Sequence, residues 1–152
     1  MENSNHNEKL VGSLQELLQK NYDAEKGFKQ VMQKAESPKL KNWLQKKAVE
    51  RSGFANEIDQ ELRTLNAKPR DEGSFAGSAH RVWIDVKTAL SSDKDESILE
   101  ECIRGEKASA DEYKDQLESA YVTGSAKTVL TQQRAKVQQT LSAVKRLEDL
   151  VD

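Results

Sequence analysis

The sequence predicts an all-α domain: a four-helix bundle made of two helical hairpins, joined by a long crossover that carries a short fifth helix. Three observations lead there. Apolar residues recur at alternating spacings of four and three along four long stretches. Short links punctuated by Ser37-Pro38 and by Thr123-Gly124-Ser125 separate those stretches in pairs. Apolar and polar residues never alternate for long enough to suggest a strand.

Length and composition agree. One hundred and fifty-two residues make one ordinary domain, large enough for a core without disulfide or metal staples. Only 36% of the residues are hydrophobic and 33% are charged, which suits long helices with one face in water. A net charge of −2 gives no general attraction to nucleic acid or to an anionic membrane, so neither is expected as a partner. Cys102 is the single cysteine, which rules out an internal disulfide and points to a reducing, cytoplasmic compartment. Met1 to Glu8 lacks the apolar core of a signal peptide. No apolar run approaches the ~20 residues of a membrane span.

Residues 1–7 read as a disordered polar tail, and residues 8–152 as the single domain. The first long helix is expected over 8–35, with the seam Leu10, Leu14, Leu17, Asn21, Ala24, Phe28, Val31 and Ala35. Ser37 can cap the next helix, and Pro38 at its first position loses no hydrogen bond. That helix, 38–65, carries Leu44, Ala48, Arg51, Ala55, Ile58, Leu62 and Leu65. The crossover is 66–95, with a short helix over 76–90 and Asp95 as a cap for the third long helix. That third helix, 96–121, aligns Leu99, Ile103, Glu106, Ala110, Tyr113, Leu117 and Ala120. Gly124 can end it and Ser125 can cap the last helix, 126–151. There the stripe is Ala126, Leu130, Gln133, Val137, Thr140, Val144, Leu147 and Val151. The crossover is long enough to run the full length of the bundle, about 40 Å at ~1.5 Å per residue, the connection of ferritin-like folds. A five-helix up-and-down array is the alternative.

Each seam is broken near its middle by polar residues. Reversing the first pair of helices about Glu36-Ser37 sets Glu25 near Glu50 and within about one turn of Arg51. Reversing the second pair about Gly124 sets Glu106 level with Gln139 and Thr140, and Tyr113 level with Gln133. A polar layer of Asn21, Glu25, Arg51, Glu106, Tyr113, Gln133 and Thr140 is therefore expected to cross the core. Within it, a Glu25–Arg51 ion pair and a Tyr113–Gln133 hydrogen bond are the natural pairings, with Glu106 bonded to Thr140 or Gln139; Arg51 serving both glutamates is the variant. Gly27, Gly53 and Gly105 lie mid-helix beside this level, each costing roughly 1 kcal/mol relative to alanine. They point to a close approach, a kink or a bulge.

Asn21-Tyr22-Asp23-Ala24-Glu25-Lys26-Gly27-Phe28, Arg51-Ser52-Gly53-Phe54-Ala55, Gly73-Ser74, Arg81-Val82-Trp83 and Ile98 to Glu106 with Tyr113 form a recognisable set. Together they resemble a bacterial family of ferritin-like four-helix-bundle proteins known only as a domain of unknown function. The likeness covers roughly 8–145. It implies a ferritin-like bundle and no particular activity.

A di-iron site of the ferritin type takes carboxylates from all four helices, with Glu-x-x-His on two of them. Glu25, Glu50, Glu57 and Glu106 are the candidates, but neither Glu50 nor Glu57 has a histidine three residues on. The last helix holds no acid between Ala126 and Arg146, and the two histidines, His6 and His80, lie in the tail and the crossover. Cys102 beside the stripe reads as packing. The basic clusters Lys39–Lys47 and Lys127–Lys136 read as solvated faces, and no glycine loop suits a phosphate. The expectation is a non-enzymatic bundle, scaffold-like or stress-related, without a cofactor. The alternative is a carboxylate-bridged iron or manganese protein of oxidase or storage type. A third reading is an oligomerisation module, a homodimer or a complex with another protein, meeting its partner around Trp43 or Trp83.

Overall fold

The computed structural model describes residues 2–70 and 94–150. Among these there are four long helices, α1 (Glu2–Met32), α2 (Pro38–Thr64), α3 (Lys94–Glu118) and α4 (Gly124–Ala143), a 3₁₀ turn at Leu147–Asp149, and no strand. The expected short helix and the centre of the crossover lie outside the described residues.

Residues 2–7, expected to be irregular, are helical. Nothing from Glu2 to Lys9 is proline or glycine, so no residue there breaks the helix that the α1 seam begins. His6 Nε2 also lies 3.3 Å from Thr123 Oγ1, which ties the start of α1 to the α3–α4 link. The α1 seam is buried from Leu10 to Ala35, Asn21 included. Ser37 caps α2 through Leu40 N–H at 3.4 Å, with Pro38 at the first helical position. Asp95 does not cap its own helix. It lies in the first turn of α3, and its carboxylate accepts the Glu36 and Ser37 N–H groups at 2.8 and 2.9 Å.

α2 ends in a Schellman arrangement. Asn66 is left-handed at φ 59°, Ala67 N–H bonds Leu62 O at 2.9 Å, and Asn66 N–H bonds Arg63 O at 3.0 Å. Gln15 on α1 then holds the exit, donating to Lys68 O and accepting from Arg70 N–H, both at 2.9 Å. At the next link Gly124 has φ +65°, a conformation glycine adopts without a Cβ clash. Ser125 does not cap α4; its hydroxyl donates to Glu61 on α2 at 2.8 Å.

The last helix stops at Ala143, eight residues before its expected end. Val144 is extended, and Asp149 Oδ2 accepts the Lys145 and Arg146 N–H groups at 2.9 and 3.2 Å. An aspartate that bonds nearby backbone competes with the helix for those donors. The break lets Leu150, absent from the expected stripe, enter the core beside Val144.

Two apolar clusters fix the directions of the helices. At one end Leu10, Leu14, Leu17 and Leu18 of α1 meet Ile58 and Leu62 of α2, Tyr113 of α3, and Ala126 and Leu130 of α4. At the other, Phe28 and Val31 meet Leu40 and Leu44, Ile98 and Cys102, and Val144. So α1 and α4 run one way, and α2 and α3 the other. Around the bundle α1 neighbours α2 and α3, and α4 neighbours the same two, which sets α2 diagonally across from α3. Chain exit after α2 and re-entry at α3 are at opposite ends, as both the crossover and the five-helix array require.

Candidate functional site

Between the two clusters a polar network joins all four helices. It starts at Arg51 on α2, which is 1% exposed and faces Glu106 on α3, which is 0% exposed. Arg51 Nη2 donates to Glu106 Oε1 at 2.6 Å across the bundle diagonal. Arg51 Nη1 donates to Asn21 Oδ1 on α1 at 2.9 Å. Asn21 Nδ2 donates in turn to Tyr113 Oη at 2.9 Å, and to Leu17 O in its own helix at 2.8 Å. Tyr113 Oη donates to Gln133 Oε1 on α4 at 2.6 Å. Gln133 Nε2 closes on α2, donating to Phe54 O and to Glu57 Oε1, both at 3.1 Å. Along the branch through Asn21, Tyr113 and Gln133 the donors all point one way, from a buried guanidinium to the exposed Glu57 carboxylate.

These positions follow from helix geometry. Asn21, Arg51, Glu106, Tyr113 and Gln133 are all on the seams of their helices, so each faces the axis of the bundle. Buried there, each makes at least one hydrogen bond, since an unmet polar group costs about 1–3 kcal/mol. Burial weakens Arg51's charge, but Glu106, together with Tyr113 and Glu50, more than offsets this and holds the guanidinium above its ordinary pKa. Burial pushes the Tyr113 hydroxyl up to about 12, so it stays a donor.

A second, shallower group flanks the layer between α2 and α4. Lys47 Nζ donates to Thr140 Oγ1 at 2.7 Å and lies 3.6 Å from Glu50 Oε1. Burial pushes the Glu50 carboxyl above its usual range; Lys47 draws it back, and Glu106 adds to the upward push.

Two pairings differ from the expected ones. Glu25 does not join the layer: it pairs with Lys29 one turn along α1 at 2.6 Å, near the surface. Glu106 bonds neither Thr140 nor Gln139 and takes Arg51 instead. The hairpin register is a fair guide to height but not to azimuth, and the guanidinium reaches inward to the diagonal helix. Thr140 is reached by Lys47, a residue off the expected stripe. An antiparallel α2–α4 register, with Phe54 level with Gln133, is the signal that could have found it.

The glycines do not form a set. Gly27 and Gly105 are buried, while Gly53 is exposed and a Cβ there would meet nothing within 4 Å. Close approach is therefore not the reason for Gly53. Trp43 is buried edge-on against Phe28, 6.1 Å between ring centres, with Lys47 above it, and so presents no free partner surface. His80 and Trp83 lie outside the described residues. Burial, with Glu106 and Glu101 nearby, pushes the Cys102 thiol well above its usual range, far from a reactive thiolate.

The four candidate carboxylates do not come together. Glu106 is ion-paired to Arg51, Glu25 to Lys29 and Glu50 to Lys47, while Glu57 accepts from Gln133. Among the described residues no three His, Cys, Asp or Glu side chains converge. A guanidinium at the centre repels a cation, so these residues do not fit an iron or manganese pair. No helix among the described residues is long and apolar enough to cross a membrane.

Fold and site define a class: an all-helical bundle with an ion-paired polar layer where its core would otherwise be apolar. The model of the family described as Domain of unknown function (DUF2383) matches residues 9–119, and the chain belongs to that family. The match takes in Asn21, Arg51, Glu106 and Tyr113 and ends before α4. No curated protein matches the chain.

Proposed function

We infer that the protein is a non-enzymatic, ferritin-like bundle of the cytoplasm that acts through its outer faces, in a scaffold-like or stress-related role. The observation that carries this reading is the Arg51–Glu106 pair. It lies in the centre of the bundle between the two apolar clusters, and each charge is balanced by the other within the chain. Such pairs seldom add net stability over apolar residues, but they can fix how helices register against one another. A scaffold has a use for fixed register, because its surfaces must keep one arrangement.

Metal analysis of protein purified without chelator tests this. Iron and manganese should be far below one per chain, and a chelator should leave the melting temperature unchanged. Near-stoichiometric iron or manganese that disappears in Glu25→Ala and Glu106→Ala would overturn the reading.

A further inference from the structure

Two hairpins make the bundle, α1–α2 and α3–α4, and its polar contacts gather on the seam between them. Of the layer's bonds from helix to helix, Arg51–Asn21 and Tyr113–Gln133 stay within a hairpin. Arg51–Glu106, Asn21–Tyr113 and the bonds of Gln133 to Phe54 O and Glu57 cross from one hairpin to the other. Lys47–Thr140 crosses as well. So do ties at both ends of the bundle: Asp95 to the Glu36 and Ser37 N–H groups at one, Ser125 to Glu61 and Ser13 to Gln116 at the other.

Two further observations mark the same seam. Among the described residues, buried Glu106 Oε2 and Glu50 Oε1 accept no hydrogen bond. The backbones also lie closer within each hairpin than across the seam. Closing the seam therefore strips water from Arg51, Glu106, Lys47 and Glu50 and replaces it with incomplete hydrogen bonding, a cost that hydration on opening gives back. Parting the hairpins breaks no hydrogen bond inside a helix. The links within them, residues 33–37 and 119–123, are short, and short links hold antiparallel helices together. Opening also exposes both apolar clusters, so the open form is the minor one.

We propose that the bundle has a built-in opening: it parts along this seam into two intact hairpins, at a lower free energy than unfolding, and uncovers inner apolar faces that the closed form hides. This goes beyond the scaffold reading, which concerns the outer faces, and does not rest on it. Metal content is indifferent to the opening, so either can fail alone. Cys102 is placed to report it. It is the chain's single cysteine, 0% exposed and one turn before Glu106, in a cluster whose α1 and α2 members, Phe28, Val31, Leu40 and Leu44, lie across the seam.

The rate at which an aromatic disulfide reagent labels Cys102, in a urea series below the unfolding transition, tests the proposal. Wild type should be labelled about tenfold or more faster than global unfolding allows, with a shallower urea dependence, because parting the hairpins exposes less surface than unfolding. Hydrogen exchange on the same protein separates this from fraying. The amides of Ile98 to Glu106 should stay protected beyond the level that the thiol's opening sets, since α3 remains helical when the seam parts. Asp95→Ala removes two bonds across the seam and should raise the labelling rate about tenfold, while circular dichroism shows it folded. Labelling that follows global unfolding in both rate and urea dependence would overturn the proposal. So would amides that exchange as readily as the thiol reacts, which is fraying of α3, or a rate that Asp95→Ala leaves unchanged.

Discussion

The leucine-rich end of the bundle and its polar centre are both fully buried, but different forces hold them. At the leucine end, Leu10, Leu14, Leu17 and Leu18 pack on Ile58, Leu62 and Leu130. That contact is strong and nearly direction-free, and a half-turn slip of one helix would still bury methyl groups. At the centre, Arg51, Asn21, Glu106, Tyr113 and Gln133 meet in one arrangement, and any slip breaks a chain of directed bonds. The two regions divide the labour. Apolar ends supply stability, and the polar layer selects one register among those the ends would accept.

The largest expected effect comes from breaking the centre on one side only. Arg51→Ala strands a buried carboxylate and should cost about 3–5 kcal/mol in denaturant unfolding; an unchanged midpoint would mean that the pair is not buried in solution. Leu14→Ala, at the apolar end, should cost about 2–5 kcal/mol through its cavity while leaving one sharp set of NMR signals. Replacing the pair together sharpens the contrast. Arg51→Met/Glu106→Leu should match wild type or exceed it by about 1–4 kcal/mol, yet its amide spectrum should broaden or double as registers mix. A stable variant with a single sharp spectrum would remove the register role. The smallest effect concerns Glu50. Its carboxyl is pushed up in the folded state, so its favourable contribution is present at acid pH and is lost as pH rises through the folded pKa. Glu50→Gln should therefore be slightly more stable than wild type at pH 7, within about 0.5 kcal/mol. Melting curves should show that gap closing as pH falls below the ordinary glutamate range, and a gap that widens on acidification would contradict the assignment.

Much of this arrangement was legible residue by residue. The seam of α1 is buried as its spacing predicts, and the Ser37-Pro38 start of α2 is where capping chemistry puts it. Of the seven residues expected in the polar layer, Glu25 is outside, because a helical residue one step off the seam reaches solvent and Lys29 sooner than the axis. The other six are buried, but Thr140 belongs to the flanking Lys47 group. The misread ends share one cause. Asp95 and Ser125 are good caps by type, yet their side chains go to the Ser37 N–H and to the Glu61 carboxylate, partners distant in sequence that no local rule names.

By itself the sequence determined which residues are inside. A 3.6-residue period assigns each side chain to a face, and the cost of burying an unpaired polar group drives the buried ones to find partners. Only the tertiary structure decided who those partners are. Arg51 could have taken Glu25 on the neighbouring helix and takes Glu106 on the diagonal one, at 2.6 Å. Height along a hairpin follows from counting residues, whereas the direction a long side chain takes across a core depends on where all four helices stand.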